Sequence, residues 1–452
     1  MEMSNRQSPS KALFLILAII SIQHISTVQC IGVNYGTLGD NLPPPAQVAQ
    51  FLKDKTIIDR VKIFDVNPDI IRAFANTGIS LTVTVPNGEI PNLTEIRSAR
   101  RWVNQYIKPF VPQTRINYIA VGNEILHWGP QNLIDNLVPA MKTLYKALHM
   151  NGIRDIKVSS PHSLGILLSA NPPSRASFRP GWDVGVLKPM LDFLNATNGP
   201  FMVNPYPYFG FDPNEVDFDV FRPNKGIYDR FTRRTYTNKF DLLLDAVFVS
   251  MKRLGHGDVE IVAAETGWPS LGETFEPQCT VANAASYNGG LVRKFISGRG
   301  TPLMPHKKFE TYIFGLFNEN QKPGSLAERN WGLFRPDFTP VYDAGILKPG
   351  AGVPVPAVPV TPGPGKKWCV PRAGATDAAL QNNINYVCSQ GLDCRPIQQG
   401  GTCFNPNTVR SHAAYLMNLW FQTKGTTLQN CDFSGTGDIV TDRDPSYGAC
   451  KY

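Results

Sequence analysis

Three glutamates stand where apolar, β-branched runs give way to polar segments: Glu124 in VGNE, Glu265 in AAETGW and Glu319 in LFNEN. Two carboxyl groups in one cleft are what glycoside hydrolysis needs. One must be protonated to help the leaving oxygen depart, while the other meets the developing oxocarbenium ion. Their repulsion in a partly desolvated site raises the pKa of the acid, and general acid assistance is worth roughly 10² to 10⁴ in rate. Taken singly, each glutamate reads equally well as a helix-capping charge or the partner of an arginine. At three strand ends together they point to a polysaccharide-cleaving site. Tyr35, Tyr206, Tyr208, Trp128 and Trp268 lie near the same ends and have faces that stack on pyranose rings. Their plainer role is to fill a core.

Positioning these residues falls to an alternation of elements. Strand candidates begin at Ile31, Arg60, Ile79, Asn117, Asp155, Pro200, Glu260 and Thr311. Segments of helical spacing separate them, among them NPDIIRAFANTG, LIDNLVPAMKTLYKALHMNG and KFDLLLDAVFVSMKRLG, each closed by glycine as a C-cap is. Eight strand-then-helix units across residues 31–348 predict an α/β fold, a (β/α)8 TIM barrel, rather than an open doubly wound sheet. No glycine-rich fingerprint follows the first strand, which counts against dinucleotide binding. Barrel active sites lie at the carboxyl ends of the strands, so the glutamates should share one mouth.

The rest of the chain reads as separate pieces. Lys11 followed by ALFLILAIISI has the layout of a secretory signal, so residues 1–30 are expected to be removed. No later run approaches the roughly 20 apolar residues of a membrane span, and the terminal ACKY lacks a lipid-anchor tail. A secreted, extracellular or wall-bound monomer is expected, with Asn92-Leu-Thr94 and Asn195-Ala-Thr197 as glycosylation sequons. Residues 349–367, with proline every few positions, read as a semi-extended linker. Beyond it, Cys369, Cys388, Cys394, Cys403, Cys431 and Cys450 crowd residues 368–452, the mark of a small disulfide-stapled domain. No CxxC or paired-histidine spacing accompanies them, so no metal is expected. With Cys30 lost to the signal, Cys279 is left as a free, buried thiol.

The net charge of +8 is scattered rather than blocked. YDRFTRRTYTNKF, residues 228–240, is a basic segment with interleaved aromatics and reads as a solvated loop entering a helix, so no nucleic-acid partner is expected. Retention by acidic wall polysaccharides is a milder consequence of the charge.

IGVNYGTLGDNLPPP, VKIFDVNPDIIRAFANTGI, VGNE, NPYPYF, ETGWPS and FNENQKPG, in that order, resemble plant endo-β-1,3-glucanases of glycoside hydrolase family 17. WCVPRAGATDAALQNNINYVC, GTCFNPNT, SHAAYLMNLWFQ, CDFSGTG and DPSYGAC resemble carbohydrate-binding module family 43. The first resemblance implies a retaining mechanism on β-1,3-glucan, callose or a fungal wall glucan, with Glu124 as acid/base and Glu265 as nucleophile. The two carboxyl groups are then expected roughly 5 to 5.5 Å apart. It also implies that Asn123 bonds the sugar hydroxyl beside the reacting carbon, and that Glu319, Lys322 and Glu328 organise charge and touch substrate. No cofactor is implied.

The second resemblance implies the pairs Cys369–Cys431, Cys388–Cys394 and Cys403–Cys450. Its candidate sugar surface draws on Tyr415, Trp420, Phe421 and Tyr447, although helical spacing of Ala413, Leu416 and Trp420 also reads Trp420 as core. Two segments depart from the family pattern: ILHW after the acid, and AAETGW, which lacks the usual serine in its lead-in. Two other outcomes remain open, a wall glucan-binding protein with an inactive barrel and a glucan transglycosylase using the same intermediate.

Overall fold

The computed structural model describes residues 31–353, 367–372, 374–440, 445–446 and 450–452. The expected signal segment 1–30, most of the expected linker 349–367 and Tyr447 lie outside these residues. The chain divides into two compact units near residues 356 and 357.

The first unit is built on nine parallel strand segments. They are β1 (Ile31–Tyr35), β2 (Arg60–Ile63), β3 (Ser80–Val85), β4 (Ile116–Val121), β5 (Lys157–Ser159), β6 (Pro161–Ser163), β7 (Phe201–Asn204), β8 (Ile261–Thr266) and β9 (Thr311–Ile313). Their hydrogen-bonded order is β5-β4-β3-β2-β1-β9-β8-β7-β6. Segments β5 and β6 flank Ser160 and are two halves of one barrel strand. Tyr118 of β4 pairs with Lys157, and Pro161 pairs with Met202 of β7, so the sheet closes through that break. The eight expected strands are therefore present, with the fifth divided.

Seven of the expected helices follow their strands: α1 (Pro45–Lys55), α2 (Pro68–Ala73), α3 (Ile96–Tyr106), α4 (Gln131–Met150), α5 (Lys188–Thr197), α6 (Lys239–Arg253) and α7 (Val281–Ser297). Three of their starts are set by side-chain caps that satisfy otherwise orphaned amides. Asn67 accepts from the amides of Asp69 and Ile70 at α2, Asn238 from Asp241 at α6, and Thr280 from Asn283 at α7. The eighth unit differs from expectation. Among the described residues β9 leads to a 3₁₀ turn, Leu326–Arg329, within a segment whose glycines and prolines oppose a helix. Phe334 and Phe338 from this segment instead pack on Phe51 of α1, with ring centroids 4.9 and 4.6 Å away.

The basic 228–240 segment is also not a plain loop. Ile227–Asp229 pairs antiparallel with Arg234–Tyr236, because Tyr236 is fully buried and bonds Asp245 at 2.9 Å while its neighbours face solvent. Asn92 and Asn195 are both exposed. No helix among the described residues is long and apolar enough to cross a membrane.

The second unit packs α8 (Asp377–Ser389) and α9 (Val409–Lys424) against a two-stranded ribbon, β10 (Trp368–Pro371) with β11 (Gly437–Val440). Leu380, Val387, Ala413, Leu416, Met417 and Phe421 form its core. Disulfides join Cys369 to Cys431, Cys388 to Cys394 and Cys403 to Cys450. So small a core needs such staples.

Candidate active site

Glu124 follows β4 in a turn held open by two left-handed residues, Gly122 at φ 68° and Glu124 itself at φ 56°. A non-glycine residue there carries strain of order 1 kcal/mol or more, tolerated where the surroundings fix it. Here the Asn123 amide donates to Asn87 Oδ1 at 2.8 Å, and the Glu124 amide donates to the Pro161 carbonyl at 2.9 Å. The divided fifth strand thus supplies one anchor of the turn.

The Glu124 carboxyl accepts from Asn204 Nδ2, at the end of β7, at 2.9 Å and from the Trp128 indole at 3.1 Å. Burial raises its pKa, and the charge of Glu265 adds to the rise. Asn204, Trp128 and Lys62 pull the other way without cancelling it.

Glu265, near the end of β8, has different company. Its Oε1 meets the Lys62 ammonium at 2.8 Å, and its Oε2 accepts from the Tyr206 hydroxyl at 3.0 Å. Lys62 is wholly buried, and its ammonium also lies 4.0 Å from the centre of the Phe64 ring. Burial and the nearby glutamates push the Tyr206 hydroxyl well above its usual pKa, so it remains a donor. One carboxylate is thus paired with a cation, while the other is neighboured by neutral donors and a negative charge. Such asymmetry is the kind that divides two carboxyl groups between different roles.

Both glutamates line one cleft of about 510 Å³, together with Asn123, Tyr206, Glu319, Lys322 and Glu328. Its aromatic walls are Phe64, Tyr206, Phe209, Phe314 and Trp331. Glu319 is 5 % exposed and accepts from the Leu38 amide at 2.8 Å, tying the β9 loop to the β1 loop. Gly36 is required beneath it, since a Cβ there would lie 2.3 Å from the carboxylate oxygens. Lys322 pairs with Glu328 at 2.9 Å and sits 4.2 Å from the Phe314 ring centre. All three charges line the cleft.

Several expected aromatics lie elsewhere. Trp268 is fully buried, with its indole NH spent on the Gln278 carbonyl at 2.9 Å, so it offers no face to a sugar. Tyr35 is 3 % exposed and packs edge-on against Phe317; the residues after it, Gly36 to Leu38, reach the cleft instead. Tyr208 is buried and donates to Glu276 at 2.9 Å. Inward position on a strand end does not distinguish a core aromatic from a wall aromatic. Lys62, Asn204, Phe209, Phe314 and Trp331 were not anticipated. Lys62 alone carried a signal, a lysine inside the apolar run RVKIFD where only a buried partner makes it tolerable.

In the second unit Phe421 is core, wholly buried, rather than surface. Trp420 is half-buried and stands edge-on to Tyr386, centroids 5.1 Å apart, in a groove with Asn382, Asn383, Asp432 and Phe433. Tyr415 instead packs edge-on to Tyr452. Cys279 is free and buried; burial pushes its thiol up to about 11.

A closed eight-stranded α/β barrel with two unlike glutamates in an aromatic-walled cleft at its strand ends has the constellation of a carboxylate-pair glycosidase. Residues 31–346 match Glycosyl hydrolases family 17, and the chain belongs to that family. Residues 367–438 match the X8 domain. A glucan endo-1,3-beta-glucosidase of Triticum aestivum is 50 % identical over 436 residues, covering 93 % of this chain and 94 % of its own. A glucan endo-1,3-beta-D-glucosidase of Olea europaea is 42 % identical over 456 residues, covering 99 % and 98 %. Among solved structures, CJP38, a beta-1,3-glucanase and pollen allergen of Cryptomeria japonica, is 41 % identical with a TM-score of 0.66, covering 69 % of this chain and 98 % of its own.

Proposed function

We propose that the chain is a secreted endo-hydrolase of β-1,3-glucan that works by double displacement. The observation that carries this reading is the unlike surroundings of the two glutamates in one cleft: Lys62 and Tyr206 on Glu265, burial and neutral donors on Glu124. The names of the Triticum and Olea relatives supply the substrate class.

In the first step a Glu265 oxygen bonds to the anomeric carbon as the glycosidic C–O bond breaks. The leaving oxygen keeps the electron pair and takes the proton from Glu124. In the second step Glu124, now a carboxylate, takes a proton from water as the water oxygen attacks the anomeric carbon, and Glu265 departs as a carboxylate. Lys62 and Tyr206 receive that returning charge in place. Asn123 bonds the adjacent sugar hydroxyl, Tyr206 and Phe209 give stacking faces backed by Trp331, and Glu319, Lys322 and Glu328 border the sugar path. Residues 368–452 hold the polymer nearby through the Tyr386–Trp420 groove, and Asn92 and Asn195 carry glycans.

The test is release of reducing ends from a soluble β-1,3-glucan by the wild type and by Glu265→Ala. Release by the wild type with loss of about 10³-fold or more in the variant is expected. Equal, negligible release from both overturns hydrolysis, and products longer than the starting chains favour transfer.

A further inference from the structure

Trp128 closes the one-turn helix Ile125–Trp128 that begins at Glu124. Its amide donates to the Glu124 carbonyl at 3.1 Å, and its indole NH donates to Glu124 Oε2 at 3.1 Å. Backbone and side chain therefore hold the same residue, four positions earlier. The residue is 74 % exposed, its ring backed edge-on by His127 with centroids 4.4 Å apart. His127 in turn packs on Gly165, where a Cβ would lie 2.3 Å from its Nδ1.

Glu124 lines the cleft, but the indole bonded to it lies outside the cleft wall. The general acid touches the glycosidic oxygen, so a surface bonded to that acid and outside the wall it shares with Glu265 is placed beside the sugar that departs. A tryptophan whose NH is occupied by the acid and whose ring is bare presents a flat apolar face at that place.

We propose that Trp128 is a positioning and specificity residue on the leaving-group side: its NH orients the Glu124 carboxyl, and its exposed face carries the departing or accepting glucosyl residue. This rests on the hydrolase reading above. Sugar held there after the first step competes with water for the glycosyl-enzyme. Trp128 thus sets the share of transfer over hydrolysis, with no reactant beyond a second glucan chain. In transfer, a hydroxyl oxygen of that chain bonds the anomeric carbon and gives its proton to the Glu124 carboxylate, as water otherwise does, while the bond to Glu265 breaks and Glu265 leaves as a carboxylate.

The charged or titratable groups facing Glu124 are Glu265 from β8, Lys62 from β2 and Tyr206 after β7, with His127 on its own turn. Trp128→Phe keeps a ring and removes only the NH; Trp128→Ala removes both. Wild type and variants would be compared on β-1,3-linked glucose oligomers of defined length, with kcat/KM followed against pH and products sized. Thermal unfolding would confirm folding.

Both variants should move the alkaline limb of the profile upward, since an NH donor that favours the carboxylate is lost. Only Trp128→Ala should raise KM for the longer oligomers, by about fivefold, and reduce transfer products by a similar factor. Unmoved limbs, or an alanine variant with wild-type KM and product pattern, overturn the proposal while leaving hydrolysis intact. A wild type that releases nothing from these oligomers removes both readings together.

Discussion

Replacing Lys62 by methionine tests the charge asymmetry of the site most directly. The substitution keeps an unbranched stem and removes an ammonium that is wholly buried and 2.8 Å from Glu265 Oε1. Two unit charges at that distance attract by about 6 kcal/mol at an effective dielectric constant near 20, a ceiling that desolvation reduces. Removing one partner of a buried pair usually costs about 3–5 kcal/mol, because the other is left uncompensated. Glu265 is 6 % exposed and shares its cleft with Glu124, so without the ammonium its carboxylate loses the partner that fixes it for attack and receives its charge on departure. At about 1.4 kcal/mol per tenfold, kcat at constant pH should fall by roughly 10²- to 10³-fold. Reducing-end assays read the rate, and denaturant unfolding reads stability. In the double variant Lys62→Met/Glu265→Gln both charges are gone, so its stability should exceed the sum of the single effects by about 2–3 kcal/mol. Additive stabilities, or a Lys62→Met enzyme within threefold of wild-type kcat, would refute the asymmetry as described.

Three further outcomes follow from particular contacts. Asn204→Ala removes the donor 2.9 Å from Glu124 Oε1, which favours the charged form; the proton is then held more tightly, and the alkaline limb of kcat/KM should move to higher pH whatever the absolute rate. A limb that moves down would reverse the assigned role of Glu124. Gly36→Ala drives a Cβ to 2.3 Å from Glu319, so about 1–3 kcal/mol should be lost in chemical unfolding, with rate falling as the β1 and β9 loops part. Cys369→Ser/Cys431→Ser opens a bridge spanning 62 residues, worth about 4 kcal/mol in the chain-entropy estimate. Calorimetry of the full chain should then show the smaller unit melting earlier while the barrel transition stays in place.

The barrel was legible in the sequence because parallel strands buried on both faces read as apolar, β-branched runs at regular spacing. The exceptions have local causes. Ser160 interrupts the fifth strand between two runs of three paired residues, below the length that periodicity can resolve. Behind β9 the chain follows proline and glycine rather than the repeat, and Phe334 and Phe338 fill the gap a helix would occupy. Tyr236 alternates with exposed neighbours, but charges on either side hid the hairpin beneath a solvated pattern.

At the site, residues that end strands were easier to recognise than those that only face them. Glu124 and Glu265 announce themselves by breaking apolar runs, whereas Asn204 looks like any turn residue until β7 brings it 2.9 Å from Glu124. The aromatics failed for the opposite reason: Trp268 and Trp331 are alike in composition and in burial, and only the cleft, which Trp331 lines, tells them apart. Trp128 is the reverse case. Sequence marked ILHW as a departure just beyond the acid, and the departure lies four positions from Glu124, one helical turn, where an indole NH can reach the carboxyl. In the proposed reaction a change that close to Glu124 acts on the orientation of the acid and on the departing sugar, while Lys62 and Tyr206 hold Glu265 independently. Variation at position 128 can therefore tune the acid's pH limb and the fate of the glycosyl-enzyme without touching the carboxylate pair itself.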